Sequence, residues 1–359
     1  MRTQLAAIAA TQGGLFTRAQ ARAAGYGLPE IRGLTAPGGA WVVVRRGVYV
    51  DRALWNDLES HRERPLALAR AVHLSLGVEH VLSHDSAAYA WGLPILRPRE
   101  PMVHVTRQRV QGTRTEHGVK HHLVRRLEGP YVAEGLPVTS LARTALDIAR
   151  EHGRLAGLVA CDAALRFGAT HADFDEVLAS MWSWRHVNRA RAAAHDAVLG
   201  AESPGETLAR DLAIEAGLGD GIITQFPVEI TNGIAWCDLL VGCHVIEFDG
   251  RKKYELSSDG GFAGESPAAV VWREKVRERD VNGRRLGVSR VFWDDCLGPG
   301  RRTALERLAR EHDDVCRRYG TEPPPDVIAF AHRMWAARQA RLERDFREVE
   351  LFRASSISA

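Results

Sequence analysis

Four carboxylates in one stretch of the chain are spaced as if for a single task. Glu206 stands in Ser203-Pro204-Gly205-Glu206, Asp238 in Trp236-Cys237-Asp238, and Glu247 and Asp249 alternate in Ile246-Glu247-Phe248-Asp249-Gly250. Successive side chains of a strand point to opposite faces, so Glu247 and Asp249 share one. If Gly242-Cys243 is a two-residue turn, the numbers of cross-strand partners add to 485, which places Asp238 opposite Glu247. Directly opposed carboxylates, with Cβ atoms roughly 4.5–5.5 Å apart, repel one another, so a cation is expected between them. Two carboxylates with water and phosphate oxygens make a donor set that suits Mg²⁺ (or Mn²⁺). The basic run Arg251-Lys252-Lys253 follows at once, placed to hold a phosphate or offset developing negative charge; its plainer reading is a solvated turn. Glu206 likewise has a plainer duty, as the acid of a capping box opened by Ser203.

The elements that must position these groups are legible from turn and cap residues. A helix from Ser203 to about Ala216 has Pro204 at its first position. Two β-like runs, Ile222–Thr231 and Ile234–Val241, are joined by Asn232-Gly233, a strong hairpin signal. A third run, His244–Gly250, comes next. A basic helix from about Pro267 to Leu286, with Arg273, Lys275, Arg277 and Arg279, precedes the strand Val288–Trp293. A helix from about Arg302 to Tyr319, the break Pro323-Pro324-Pro325 and a charged helix from about Asp326 to Phe352 complete the chain.

An acid-bearing helix, a strand Asp, a strand E-x-D-G and a downstream basic helix, in this order, resemble the PD-(D/E)XK nuclease superfamily. The very-short-patch-repair endonuclease-like branch is the nearest in pattern, over about residues 202–296. The resemblance implies a restriction-endonuclease-like mixed sheet with flanking helices and metal-dependent hydrolysis of DNA phosphodiester bonds. It implies Asp238 and Glu247 as metal ligands, with Glu206 contributing from its helix. The superfamily's third motif is usually E-x-K, and Asp249 stands here at the lysine position. Lys252, Lys253 or Lys275 would then supply the missing cation, or Asp249 would join the metal shell.

The first fifty residues carry six arginines against one acid, Glu30, in a chain whose formal net charge is only +3. Such asymmetry is compatible with nucleic acid. A helix over Thr3–Thr11, a second opened by the capping box Thr17-x-x-Gln20, and a third from Pro29 to Leu34 precede Pro37-Gly38-Gly39 and a two-strand pattern, Trp41–Val50, around Arg46-Gly47. Three helices and a wing form a winged helix-turn-helix, in which the third helix enters the major groove and the wing reaches the backbone. Arg32, Arg45 and Arg46 are the expected DNA-binding side chains. The stretch from Gly14-Leu15-Phe16-Thr17 to Arg46-Gly47-Val48-Tyr49 resembles the N-terminal domain of AbiEi-type antitoxins of abortive-infection systems. Leu82–Ala88, Val103–Thr106, Pro137–Ser140 and Arg143–Asp147 resemble the body that follows it.

Ser83-His84-Asp85 is not a hydrolase triad, since consecutive residues cannot converge on one substrate atom. Ser83 reads as an N-cap and Asp85 as a first-turn acid. His121 and His122 fall on opposite faces of a strand, read as solvated and basic. Five cysteines without a C-x-x-C pair read as reduced, mostly buried thiols rather than a disulfide framework or zinc site. With no long apolar run and no signal-peptide pattern, the expected location is the cytoplasm, away from membranes.

The expected architecture is α/β and multidomain: a winged helix-turn-helix at 1–52, a mixed α/β body and helical connector at 53–200, an endonuclease-like domain at 201–299 and a helical extension at 300–359. The leading functional expectation is a DNA-binding, metal-dependent endonuclease acting in phage defence. The rival is a non-enzymatic AbiEi-like antitoxin or repressor, with a cognate toxin or defence partner and an inactive nuclease-like module. A third reading is a protein-only scaffold.

Overall fold

Caps and turns divide the first fifty residues as the sequence suggests. The computed structural model describes residues 1–108, 112–125, 127, 129, 131–250 and 267–337. It separates into two compact units, Met1–Leu199 and Gly200–Ala359. Lys252 and Lys253 lie outside the described residues, as does the expected last helix beyond residue 337.

In the N-terminal unit, α1 (Thr3–Thr11) and β1 (Leu15–Thr17) precede α2 (Arg18–Ala23). The capping box fixes the start of α2: Gln20 N donates to Thr17 Oγ1 at 3.2 Å and Thr17 N to Gln20 Oε1 at 2.7 Å. α3 (Leu28–Leu34) has Pro29 in its first turn. β2 (Trp41–Arg45) and β3 (Val48–Asp51) make the expected hairpin, and β1 pairs with the other edge of β3. Three residues are too few to show alternation, so β1 is invisible in the sequence. Phe16, Tyr26, Trp41 and Tyr49 form this element's aromatic core, with Phe16 and Trp41 edge to face at 4.7 Å.

α4 (Arg52–Asp57) and α5 (Glu63–Ser75) lead into a six-stranded mixed sheet. Its chain order is β4 (Val81–Leu82), α6 (His84–Trp91), β5 (Val103–Gln108), β6 (Gly112–Glu116), β7 (Val119–Val124), β8 (Tyr131–Ala133) and β9 (Leu136–Val138), and its spatial order β6-β7-β5-β4-β9-β8. A helical layer follows: α7 (Leu141–His152), α8 (Arg154–Arg166), α9 (His171–Ser180) and α10 (Val187–Asp196). Small residues dominate its interior, among them Ala145, Ala149, Ala160, Ala164, Ala190 and Ala193, so these helices approach closely.

Asp147 sits in this layer with no exposed surface. Arg143 Nε donates to its Oδ2 and Arg150 to its Oδ1, both at 2.7 Å, and both guanidiniums lie over the Trp184 ring. Burial opposes the charge, but the two arginines prevail and hold the carboxyl below the usual aspartate range.

The C-terminal unit begins with α11 (Pro204–Ala213), which ends in a wider turn at Ile214–Leu218. β10 (Ile223–Ile230), β11 (Gly233–Val241) and β12 (His244–Phe248) run antiparallel in succession. α12 (Pro267–Gly283) crosses to β13 (Gly287–Val291), which lies parallel to β12, giving the order β10-β11-β12-β13. α12 stops short of Leu286 because Arg285 takes a left-handed φ of 64° before the strand. α13 (Trp293–Leu297), α14 (Arg301–Tyr319) and a helix over 325–337 complete the described part. Val315, Val327, Ala331 and Trp335 join Phe226, Cys237, Val245 and Val281 in one core, so the helices after Gly300 cover this unit's own sheet. Among the described residues all five cysteines are free and no helix is long and apolar enough to cross a membrane.

Removing the charge of Asp147 tests the buried arginine cluster. Asp147→Asn should destabilise the N-terminal unit by about 3–5 kcal/mol at neutral pH, since it leaves the buried Arg143 and the half-buried Arg150 without their anion. Because the folded carboxyl titrates below its unfolded counterpart, its contribution is present above the unfolded value and disappears as pH falls through the folded one. Denaturant melts of both proteins should therefore converge in acid; a difference that persists unchanged at low pH would assign the effect to packing.

Candidate functional site

The turn at Gly242-Cys243 sets the geometry of the candidate site. Gly242 adopts φ 57°, and β11 and β12 pair Val241 with His244, Leu240 with Val245 and Leu239 with Ile246, the register expected from the sequence. Backbone pairing stops one step later. Asp238 Oδ2 accepts a 2.8 Å hydrogen bond from Phe248 N, so its side chain takes the place of a ladder carbonyl. Glu247 lies beside it, paired across the parallel ladder with Arg290. Asp249 follows immediately, anchored by its N–H on Val291 O at 2.9 Å.

A cation stands against one of these acids, Glu247, and it is a side chain. Arg277, from α12, makes a two-pronged bridge to Glu247, at 3.0 Å to Oε2 and 2.9 Å to Oε1, and donates to Trp236 O at 2.8 Å. Burial pushes the Glu247 carboxyl above its usual range; Arg277 pulls it down and Asp238 pushes it further up. Burial acts against the Arg277 charge, yet Glu247 raises it overall. Glu274 and Glu278, on the same face of α12, both receive Arg290, whose guanidinium lies 3.9 Å from Asp249 Oδ2. Lys275 is exposed on α12.

Glu206 is held by the start of its helix. Its Oε2 accepts from Glu202 N at 2.7 Å and Gln225 Nε2 at 3.0 Å, its Oε1 accepts from the Ser203 hydroxyl at 2.9 Å, and its own N–H donates to Ser203 Oγ. Burial raises its carboxyl above the ordinary range despite these donors. The helix comes close to β12 because position 205 has no side chain: a Cβ on Gly205 would lie 2.1 Å from the Phe248 ring.

All three acids bear oxygen donors, and Asp249 Oδ1 is buried without a hydrogen-bond partner, a feature a hard divalent cation would satisfy. Asp238, Glu247 and Asp249 do not, however, converge into a three-ligand set. Among the described residues such sets occur in the N-terminal unit: His84, His104 and His122, and Asp85, His104 and His152.

These histidines correct the sequence reading in two places. Ser83 occupies the N-cap of α6, but its hydroxyl meets His84 Nδ1 at 3.0 Å and caps no backbone N–H. β7 is not a solvated strand at its histidines: His121 is 5% exposed, and His122 stacks on His84 at 3.8 Å and reaches His104. Alternation does separate the two, but both faces are covered. No local signal links residues 84, 104, 122 and 152; Arg277 stands at helical spacing from Glu274, three residues before it, but nothing local joins it to Glu247.

Of the three arginines expected to meet DNA, Arg32 and Arg46 are exposed, and half-buried Arg45 donates to His117 O at 3.0 Å. Comparison of the chain with protein-family models and with curated proteins gives no match.

The Arg277–Glu247 bridge is open to a double-mutant cycle. Arg277→Gln and Glu247→Gln should each destabilise the C-terminal unit, the pair together by less than their sum, with a coupling of about 1–3 kcal/mol in denaturant melts. Additive losses would show that the bridge carries no net energy.

Proposed function

We propose that this chain is a DNA-binding protein whose C-terminal unit is an endonuclease-like module hydrolysing phosphodiester bonds with Mg²⁺. The observation that carries this reading is the gathering of Asp238, Glu247 and Asp249 at one end of the paired β11, β12 and β13, with Asp249 Oδ1 buried and unpartnered. A mixed four-stranded sheet with flanking helices supports it, since the nuclease superfamily resemblance implies a sheet of that kind. In the N-terminal unit, the order α1, β1, α2, α3 and a β2–β3 hairpin supports a winged helix-turn-helix, with Arg32 and Arg46 exposed to meet phosphate.

When bound, the ion would supply charge to polarise a phosphodiester and activate water. Asp249, through its unpartnered Oδ1, would hold it together with Asp238 and Glu247 once these side chains draw closer than they stand here. Arg277 keeps Glu247 compensated until then, and its planar guanidinium, once released, matches a phosphate oxygen pair. Glu206, fastened to its cap and to Gln225, orients the start of α11 against Phe248.

The same bridge favours a second reading. A guanidinium already satisfying Glu247 is what a nuclease fold kept only for binding would need, and the chain would then be a non-enzymatic regulator of the AbiEi antitoxin kind.

Incubation with single- and double-stranded DNA separates the two. The first reading expects cleavage with Mg²⁺ or Mn²⁺, abolished by Asp238→Asn and by Glu247→Gln with DNA binding retained; wild-type protein that binds DNA but leaves it intact supports the regulator. For the N-terminal unit, replacing Arg32, Arg45 and Arg46 with alanine should weaken DNA binding and reduce the slope of log affinity against log salt by about 0.9 for each phosphate that the variant no longer neutralises. Unchanged affinity and slope at every salt concentration would remove these arginines from the interface.

A further inference from the structure

The N-terminal unit brings together side chains that the proposed function does not use. Asp85 lies in the first turn of α6, His104 in β5 and His152 at the last position of α7. Asp85 and His104 are each about 1% exposed, whereas His152 is 23% exposed and opens the group to solvent. His152 Nε2 lies 2.8 Å from Asp85 Oδ2 and 3.1 Å from Oδ1.

His104 is the informative member. Its backbone N–H donates to Ser86 Oγ at 2.9 Å, and its Nδ1 lies 3.0 Å from His122 Nε2. Its Nε2 is buried without a hydrogen-bond partner, 3.6 Å from Asp85 Oδ2. That distance is too long for a hydrogen bond. If Nδ1 donates to His122, the Nε2 lone pair faces a carboxylate, an arrangement that needs a cation. If Nε2 carries the proton instead, a buried donor goes unused beside an acceptor, at a cost comparable to breaking a hydrogen bond.

We propose that Asp85, His104 and His152 bind Zn²⁺ or a similar borderline divalent transition-metal ion, leaving one coordination position for water. Two imidazoles and a carboxylate on three elements are the donor set of an open zinc site, and nitrogen donors select against Mg²⁺. The contact between His104 Nδ1 and His122 orients the ring, as such outer contacts commonly do in metal sites. The neighbouring set of His84, His104 and His122 is less suited: the His84 and His122 rings stack at 3.8 Å with 18° between planes, whereas tetrahedral ligation splays imidazoles apart. Glu151 and Lys120, paired with each other, act on His104 and His152 in opposite senses.

The full chain, stripped of metal by chelator, should take up one Zn²⁺ in calorimetric titration. With Co²⁺ as the probe it should give the visible band of a four-coordinate site. Asp85→Asn and His152→Gln should each weaken binding at least about tenfold, while the exposed His195→Gln should leave it unchanged. His152→Gln alters a partly exposed side chain and can be checked for folding by circular dichroism. Wild-type protein that binds neither ion, binding indifferent to both Asp85→Asn and His152→Gln, or binding abolished in His84→Gln but kept in those two variants would each overturn the assignment.

Discussion

A carboxylate removed from water must keep a cation or hydrogen-bond donors beside it, and in the C-terminal unit this constraint ties the helices to one another and to the sheet. Taking an ionised group out of water costs several kcal/mol that only a well-placed partner offsets. Asp147 is met by Arg143 and Arg150 from its own helix. Asp211, on α11, receives Arg301 from α14. Glu247, on β12, receives Arg277 from α12. In the C-terminal unit these bridges run from helix to strand or from helix to helix, so they specify which helix covers which part of the sheet as well as neutralising charge.

Asp85 obeys the same constraint with weaker means. Its neighbours are histidines, which are cationic only when protonated, and one of them presents a ring nitrogen without a hydrogen-bond partner. Arginine is effectively always charged and neutralises its carboxylate permanently; histidine leaves room for a proton or a metal ion. The contrast between Glu247 and Asp85 is therefore chemical. One buried acid is matched by a fixed cation, the other by histidines whose charge depends on a proton.

Much of the local structure was legible in the sequence because its causes are local. Thr17 and Gln20 announce α2, Ser203 and Glu206 announce α11, and Gly242-Cys243 determines the pairing of β11 with β12, since a two-residue turn leaves one register. The expectation of positive charge beside Asp238 and Glu247 followed from that register and from like-charge repulsion alone. That the charge belongs to Arg277 did not, because thirty residues of chain separate it from Glu247 and only the docking of α12 on the sheet joins them. The histidines at 84, 104, 122 and 152 stand on four separate elements. Their meeting depends on β5 pairing parallel to β7 while α6 and α7 lie beside them. The sequence by itself determined caps, turns, strand alternation and the face that each acid occupies, all governed by neighbours a few residues away; tertiary structure alone decided which cation compensates each buried charge, because that choice depends on packing between elements distant in the chain.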